Sequence, residues 1–467
     1  MRGEGRMGYL HEMPRLPAGG ADRMRAGMGE SRESPHPWSH EEESPMPWIY
    51  LALSAWGALF TYNAYVPRRT SRLLNLPSFM AGWLTSELPV HHVAWQVVAT
   101  FFWVAMGALS GWPGWLGLGV SLVSWFYLLK IVPIARMAGP VLEASLREGV
   151  SDGYRGEILP DAPVERVPSP PVEIAVNPFR FRSPAVQVTQ DIAYVPGGGA
   201  RNRLDVFAPR EKVENAPVLL QIHGGGWTMG NKKEQGLALM NHLSERGWIC
   251  VANNYRLSPA ATFPEHIIDC KRALAWIRSE IEAFGGDPEF VVVTGGSAGG
   301  HLSALLALTA GDPEYQPGFE NVDTRVNAAV PFYGVYDWSD AHGLQAMSMR
   351  DDFIAPRILK VPYAQDPEAF RRASPLHRIH ADAPPFFVIH GDSDTLCSVE
   401  EARFFVQQLR ETSKEPVAYA EIPGAQHAFE VFHSLRTDYA VQAVDRFASW
   451  VHSRYRREKE RVGSAAD

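Results

Sequence analysis

The sequence predicts an α/β domain with a mostly parallel sheet and helices on both faces, preceded by a helical, apolar region. Three observations carry this. From about residue 186 onward, short apolar runs alternate with helical patterns, as strands buried on both faces require. Nine of the fourteen tryptophans fall within the first 125 residues. Two long uncharged stretches, 44–67 and 88–129, lie in that same region. At 467 residues the chain exceeds one ordinary domain.

Charge narrows the function classes. The chain has 44 basic and 52 acidic residues, a net charge of -8. Residues 1–150 carry 12 basic and 11 acidic residues, and 151–467 carry 32 and 41. No basic face is available for phosphate backbones, so nucleic acid is not an expected partner. Three cysteines (Cys250, Cys270, Cys397) are too few for a disulfide scaffold.

Residues 1–47 show neither strand nor helix periodicity and are expected to be a disordered tail. Residues 48–134 are read as a hydrophobic region of three transmembrane helices. The first apolar run is 48–66, and Gly111-Trp112-Pro113-Gly114 divides the second stretch into 93–110 and 115–134. Trp48, Trp95, Trp112 and Trp115 near the segment ends suit a membrane interface. Arg68, Arg69 and Arg72 follow the first span, and Lys130, Arg136 and Arg147 lie at or after the third. Glu41–Glu43 stand on the opposite flank, so the positive-inside rule places everything after the third span in the cytoplasm. No basic segment directly precedes the first apolar run, so a cleaved signal peptide is not expected. Residues 135–185 are read as a Pro-rich linker, its prolines gathered from Pro160 onward.

Residues 186–467 then form the α/β domain. Strands are expected at 186–194, 203–207, 218–222, 249–253, 290–294, 328–333, 385–389 and 418–422. Residues 264–284 carry apolar side chains three and four apart, from Ile267 through Cys270 and Leu274 to Phe284, which predicts an amphipathic helix. Helices are also expected at 298–309 and from about 428 to 455. Residues 336–384 have no clear pattern and lie where a cap insertion would cover a pocket.

The chemistry centres on Gly295-Gly296-Ser297-Ala298-Gly299, set between an apolar strand and an apolar helix. A G-x-S-x-G motif there is a sharp turn that lifts a serine hydroxyl above the sheet edge, with glycines giving it room. Upstream, another strand ends in His223-Gly224-Gly225-Gly226-Trp227. Main-chain N–H groups in such a glycine run can approach a developing oxyanion, and each preset donor is worth about 3 kcal/mol.

A serine hydroxyl needs a base, and the base needs an orienting carboxylate. His427 follows the strand near 418–422, and Asp392 and Asp394 follow the strand at 385–389. Both places are strand C-terminal ends, where sites in open α/β sheets gather. The expected triad is Ser297, Asp394 and His427, with Asp394 preferred over Asp392. His390 and His301 flank the motifs as packing or supporting groups, and Cys270 falls on the apolar stripe of its helix.

These motifs resemble the α/β-hydrolase fold, and within it the hormone-sensitive-lipase-like esterases, over about residues 185–455. The likeness rests on 223–227, Asn254-Tyr255-Arg256-Leu257-Ser258-Pro259, 295–300, His390-Gly391-x-x-Asp394 and His427-x-Phe429. It implies oxyanion donors at the N–H groups of Gly225, Gly226 and Ala298. Many members have Asp immediately before the nucleophile. Here that residue is Gly296, as in feruloyl-esterase-like and formamidase-like branches. Joined to the apolar N-terminal region, the domain resembles membrane-associated actinobacterial lipases/esterases. The implied activity is hydrolysis of small-molecule or lipid esters beside membrane lipid, through an acyl-enzyme and without metal or cofactor. An acyltransferase or amidase would need only a different pocket around the same triad. A ligand-binding pseudo-hydrolase would have lost the base, which is present here.

Overall fold

The computed structural model describes residues 44–69, 73–160, 177–179, 181–345 and 349–466. Most of the expected tail (1–43) and the middle of the expected linker (161–176) lie outside the described residues. The apolar region forms helices α1 (Met46–Tyr65), α2 (Asn75–Glu87), α3 (Pro89–Ala105), α4 (Trp112–Arg136) and α5 (Ala138–Gly149). Prolines 47, 89 and 113 stand in first turns, where no backbone N–H is needed for the helix. Helices α1 and α4 run parallel, because Trp48 meets Trp112 at 5.3 Å and Tyr65 meets Tyr127 at 5.8 Å. Helix α3 runs antiparallel to both.

The polarity of these helices is inverted. Small and polar side chains face inward: the Tyr50 hydroxyl donates to Thr100 (3.2 Å) and Ser121 (3.3 Å), Ser121 donates to Ser54 (3.0 Å), and Thr61 pairs with Ser124 (2.8 Å). Large apolar side chains face outward, among them Trp56, Val98, Trp115, Leu122 and Phe101, the last 73% exposed.

Among the described residues one helical stretch, Trp112–Gly149, is long and apolar enough to cross a membrane, and α2 with α3 passes only as a pair bent by 95°. The three spans expected at 48–66, 93–110 and 115–134 correspond to α1, α3 and α4. Residues 138–149, read as linker, instead continue as α5. Ala138, Leu142 and Leu146 recur at helical spacing and are fully buried.

The α/β domain follows as β1 (Val186–Ala193), β2 (Arg203–Pro209), β3 (Ala216–Ile222), α6 (Leu237–Glu245), β4 (Ile249–Asn253), α7 (Glu265–Glu280), β5 (Gly286–Gly296) and α8 (Ala298–Leu308). Then come β6 (Ala328–Phe332), a π-helical segment at Arg350–Leu359, α9 (Pro367–Ala373), β7 (Phe386–Gly391), α10 (Val399–Thr412), β8 (Val417–Ile422) and α11 (Leu435–Ala466). One eight-stranded sheet results, in the order β1-β2-β4-β3-β5-β6-β7-β8. The pairs β1/β2 and β2/β4 are antiparallel and every other pair is parallel. Alternate residues serve opposite faces: Val218, Leu220 and Ile222 join one core, Leu219 the other. Parallel pairing carries the C-terminal ends of β3, β5, β6, β7 and β8 to one edge of the sheet.

Helix α2 docks on that domain. Glu87 pairs with Arg436 of α11 at 3.1 Å, and the Ser434 hydroxyl donates to Glu87 at 2.8 Å. The Arg436 guanidinium also donates to the carbonyls of Ser86 and Pro423. Arg436 is 1% exposed. Glu87→Ala leaves that guanidinium charged and dry, which costs about 3–5 kcal/mol. Thermal denaturation of the variant is expected to show a clear fall in Tm.

Candidate active site

Ser297 follows β5 directly and α8 begins at the next residue. Its backbone has φ +58° and ψ −119°, a strained conformation for a residue with a side chain. The strain is held by packing: the Ser297 N–H donates to the Phe332 carbonyl at 3.0 Å, and the His301 N–H returns to the Ser297 carbonyl at 3.0 Å. Gly295 and Gly299 lie where strand and helix cross, and a Cβ on Gly299 would stand 2.1 Å from the Ile222 carbonyl oxygen. Ser297 is half-buried, the most accessible member of the expected triad.

Gly296 has its own constraint. A Cβ there would stand 2.4 Å from the Tyr333 hydroxyl. Tyr333 is fully buried, hydrogen-bonded to Glu430 and 4.6 Å from the His427 ring, so it cannot yield. The aspartate found in many related motifs has no space in this chain.

Expected base and acid meet. His427 Nδ1 donates to Asp394 Oδ2 at 2.7 Å. The other oxygen, Oδ1, accepts the N–H groups of Leu396 and Cys397 at 2.8 Å each. Burial alone would raise the Asp394 pKa, but the charge of His427 and hydrogen bonds from His390 and His427 hold it well below the carboxylate range. Asp392 faces elsewhere, accepting the Ser393 hydroxyl at 2.9 Å and the Gly424 N–H at 2.8 Å. His390 lies behind Asp394, its Nε2 shared between the Cys397 carbonyl at 3.2 Å and Asp394 Oδ2 at 3.4 Å. His301 stacks on Trp338 and donates to the Ala373 carbonyl at 2.8 Å. Burial pushes its pKa down to about 3, so it serves as a neutral packing group. Cys270 is buried in the core.

The glycine run lies against Ser297. A Cβ on Gly224 would stand 3.1 Å from the Ser297 Cβ. Gly225 has φ +114° and a Cβ there would meet the Met229 carbonyl oxygen at 2.3 Å, so only glycine fits. The N–H groups of Gly225 and Gly226 take part in no hydrogen bond among the described residues. The Ala298 N–H opens α8, where first-turn donors have no intrahelical partner. His223 stiffens the loop: it stacks on Tyr255, whose hydroxyl donates to the His223 carbonyl at 3.0 Å. Burial pushes the His223 pKa down to about 4, so the neutral ring donates Nδ1–H to the Gly224 carbonyl at 2.7 Å.

Four contributors escaped the sequence reading. Tyr333 and Glu430 buttress His427, and no motif marks them. Phe353, from the patternless segment, stands within 3.3 Å of a Cβ built on Gly226. Phe79 of α2 lies edge-on to the His427 ring at 6.1 Å. A serine on a strained turn, an imidazole oriented by a carboxylate and free backbone donors together can perform acyl transfer.

Sheet order and edge loops define an α/β hydrolase. The BD-FAE family matches residues 204–409. The chain is 42% identical to the probable carboxylic ester hydrolase LipM of Mycobacterium tuberculosis, over 86% of this chain and 93% of that protein. It is 37% identical to esterase LipQ of the same organism, over 83% and 87% respectively. Among solved structures it is similar to the thermophilic esterase Est2 from the Planctomycetes species Thermogutta terrifontis, with 24% identity and a TM-score of 0.43 over 53% of this chain and 86% of that one. The chain belongs to the α/β-hydrolase esterase family, and it is a carboxylic ester hydrolase.

The crowding around Gly296 gives a test. Gly296→Ala drives a methyl into the Tyr333 hydroxyl, overpacking that costs about 1–3 kcal/mol. Both a lower Tm and a loss of ester turnover are expected, measured on the same preparation.

Proposed function

We propose that this esterase works through Ser297, His427 and Asp394. Ser297 Oγ attacks the ester carbonyl carbon while His427 Nε2 takes its proton. The carbonyl oxygen becomes an oxyanion held by the N–H groups of Gly225, Gly226 and Ala298. Collapse expels the alcohol, which receives the proton from His427, and leaves an acyl group on Ser297. Water then attacks the acyl carbon as His427 takes its proton, the bond from that carbon to Ser297 Oγ breaks, His427 returns the proton to Oγ, and the acid departs. Asp394 keeps the imidazole in the Nδ1–H tautomer throughout. The observation that supports this most is the 2.7 Å bond between His427 Nδ1 and Asp394 Oδ2, together with the strained turn that carries Ser297.

Substitutions at these residues separate their roles. Ser297→Ala is expected to lower kcat by about a thousand-fold or more, read by steady-state hydrolysis of a short ester. Asp394→Asn is expected to lose about 10⁴-fold, because the amide favours the wrong tautomer. Asp392→Asn keeps its Oδ1 acceptor for Gly424 and should stay within about ten-fold of the parent. A reversed order of the two aspartates would replace Asp394 as the acid.

We also propose that residues 48–134 seat the enzyme in a bilayer as three passes, with the catalytic domain in the cytoplasm and lipid esters among its substrates. The inverted polarity of α1, α3 and α4 favours this, since helices meeting in lipid pack through small and hydrogen-bonding residues. Parallel α1 and α4 with antiparallel α3 are what three passes need. The protein is expected to stay with membranes through an alkaline carbonate wash. A reporter fused after Asp467 should act inside intact cells, and digestion of the catalytic domain by protease added to unbroken cells would reverse the orientation.

A further inference from the structure

Helix α2 belongs by sequence to the apolar region, yet its contacts run to the loops that carry His427 and Asp394. The Trp83 indole N–H donates to the Ala428 carbonyl at 2.8 Å, one residue past His427. Ala428 has φ +55°, so the chain turns sharply just where that bond holds it. Gly82 is buried against Gln426, with only 3.3 Å from a built Cβ to Gln426 Nε2. Gln426 Oε1 in turn accepts the N–H groups of His427 (2.9 Å) and Thr395 (2.8 Å), tying the two loops together. The Thr395 hydroxyl reaches back to the Asn75 carbonyl at 3.2 Å. Phe79 stacks on Trp83 at 5.1 Å and turns its edge to the His427 ring.

We infer that α2 is a working part of the esterase site, with Trp83 and Gly82 as positioning residues for His427. This rests on the reading of His427 as the base. A loop of irregular backbone held from one side only would let the imidazole drift from Ser297, and small misplacements of a base are expensive in rate. Here the catalytic domain holds the loop through Gln426, and α2 holds it through Ala428 and by backing Gln426. The apolar region therefore sets the geometry of the base as well as anchoring the enzyme.

The test uses the full chain in detergent micelles, with a short p-nitrophenyl ester as substrate and a fluorophosphonate as a probe of serine reactivity. Trp83→Phe keeps an aromatic ring against Phe79 and Phe432 but removes the donor to Ala428. Gly82→Ala presses a methyl on Gln426 and on Asn63 of α1, and serves if the first variant fails to fold. Phe101→Ala, at an outward position far along α3, is the control. For either α2 variant we expect kcat to fall about ten-fold with KM within about two-fold, and fluorophosphonylation to slow by the same factor. The control should match the parent. Rates within two-fold of the parent in both α2 variants would overturn the inference. So would a loss of activity that only tracks the fraction of folded protein, because that is a structural role alone. Should Ser297→Ala or His427→Ala stay active, the triad reading itself fails, whatever the α2 variants do.

Discussion

The turn at Ser297 constrains everything around it. A residue with a side chain at φ +58° and ψ −119° stores about 1–3 kcal/mol, so its neighbours must over-determine it. They do so by crowding. Gly299 leaves no room for a Cβ beside the Ile222 carbonyl, and the Phe332 carbonyl captures the Ser297 N–H. Because β3, β5 and β6 are parallel neighbours in register, the glycine run after β3 and Tyr333 after β6 fall on either side of that serine. Gly296 follows from the same geometry, since Tyr333 fills the space that a side chain there would take.

The rest of the site is organised by burial of charge. Asp394 is 2% exposed, a position that is tolerable for a carboxylate only if its lone pairs are filled. Two backbone N–H groups and two imidazoles fill them. An ion held this way gives His427 one orientation, and the tautomer follows from the bond to Nδ1. Asp392, two residues earlier, spends its Oδ1 lone pairs on a turn. The difference between the two aspartates is therefore one of direction, set by where β7 ends.

Much of this was legible in the sequence. All eight strands were, most of them because strands buried on both faces read as apolar runs bounded by turn residues; β1, largely exposed, is the exception. The pairing of His427 with Asp394 was legible because strand ends fix where such side chains can stand. Helices α6 and α10 were not read. Residues 336–384 stayed opaque because a π-helical segment at 350–359 has no period that a scan for 2.0 or 3.6 detects. Tyr333 and Glu430 were invisible for another reason: a tyrosine ending an apolar strand looks like core, and only the tertiary contact reveals what it touches. Residues 138–149 were misread as linker, because the prolines of the following stretch outweighed three apolar residues at helical spacing. The apolar N-terminal helices show the converse limit. Hydropathy located α1, α3 and α4, but only the packing revealed that their polar residues face one another.

Helix α2 was missed on the same grounds, and it changes how the two regions relate. Its sequence, Asn75–Glu87, lies between two apolar runs and reads as a short connection between spans. A connection would be free to vary. This one buries Glu87 against Arg436, gives its tryptophan N–H to the loop after His427, and accepts a hydroxyl from the loop after Asp394. Buried ion pairs add little net stability over apolar packing, but they permit only one docking geometry. Here that geometry brings the apolar helices and the His427 loop into one continuous structure. The path from the outward apolar residues to the imidazole is then short: α1 bonds α2 through Asn63 and Ser78, and α2 bonds the His427 loop through Trp83. The loop that carries His427 is therefore braced from two sides, by the sheet domain through Gln426 and by the apolar helices through Trp83.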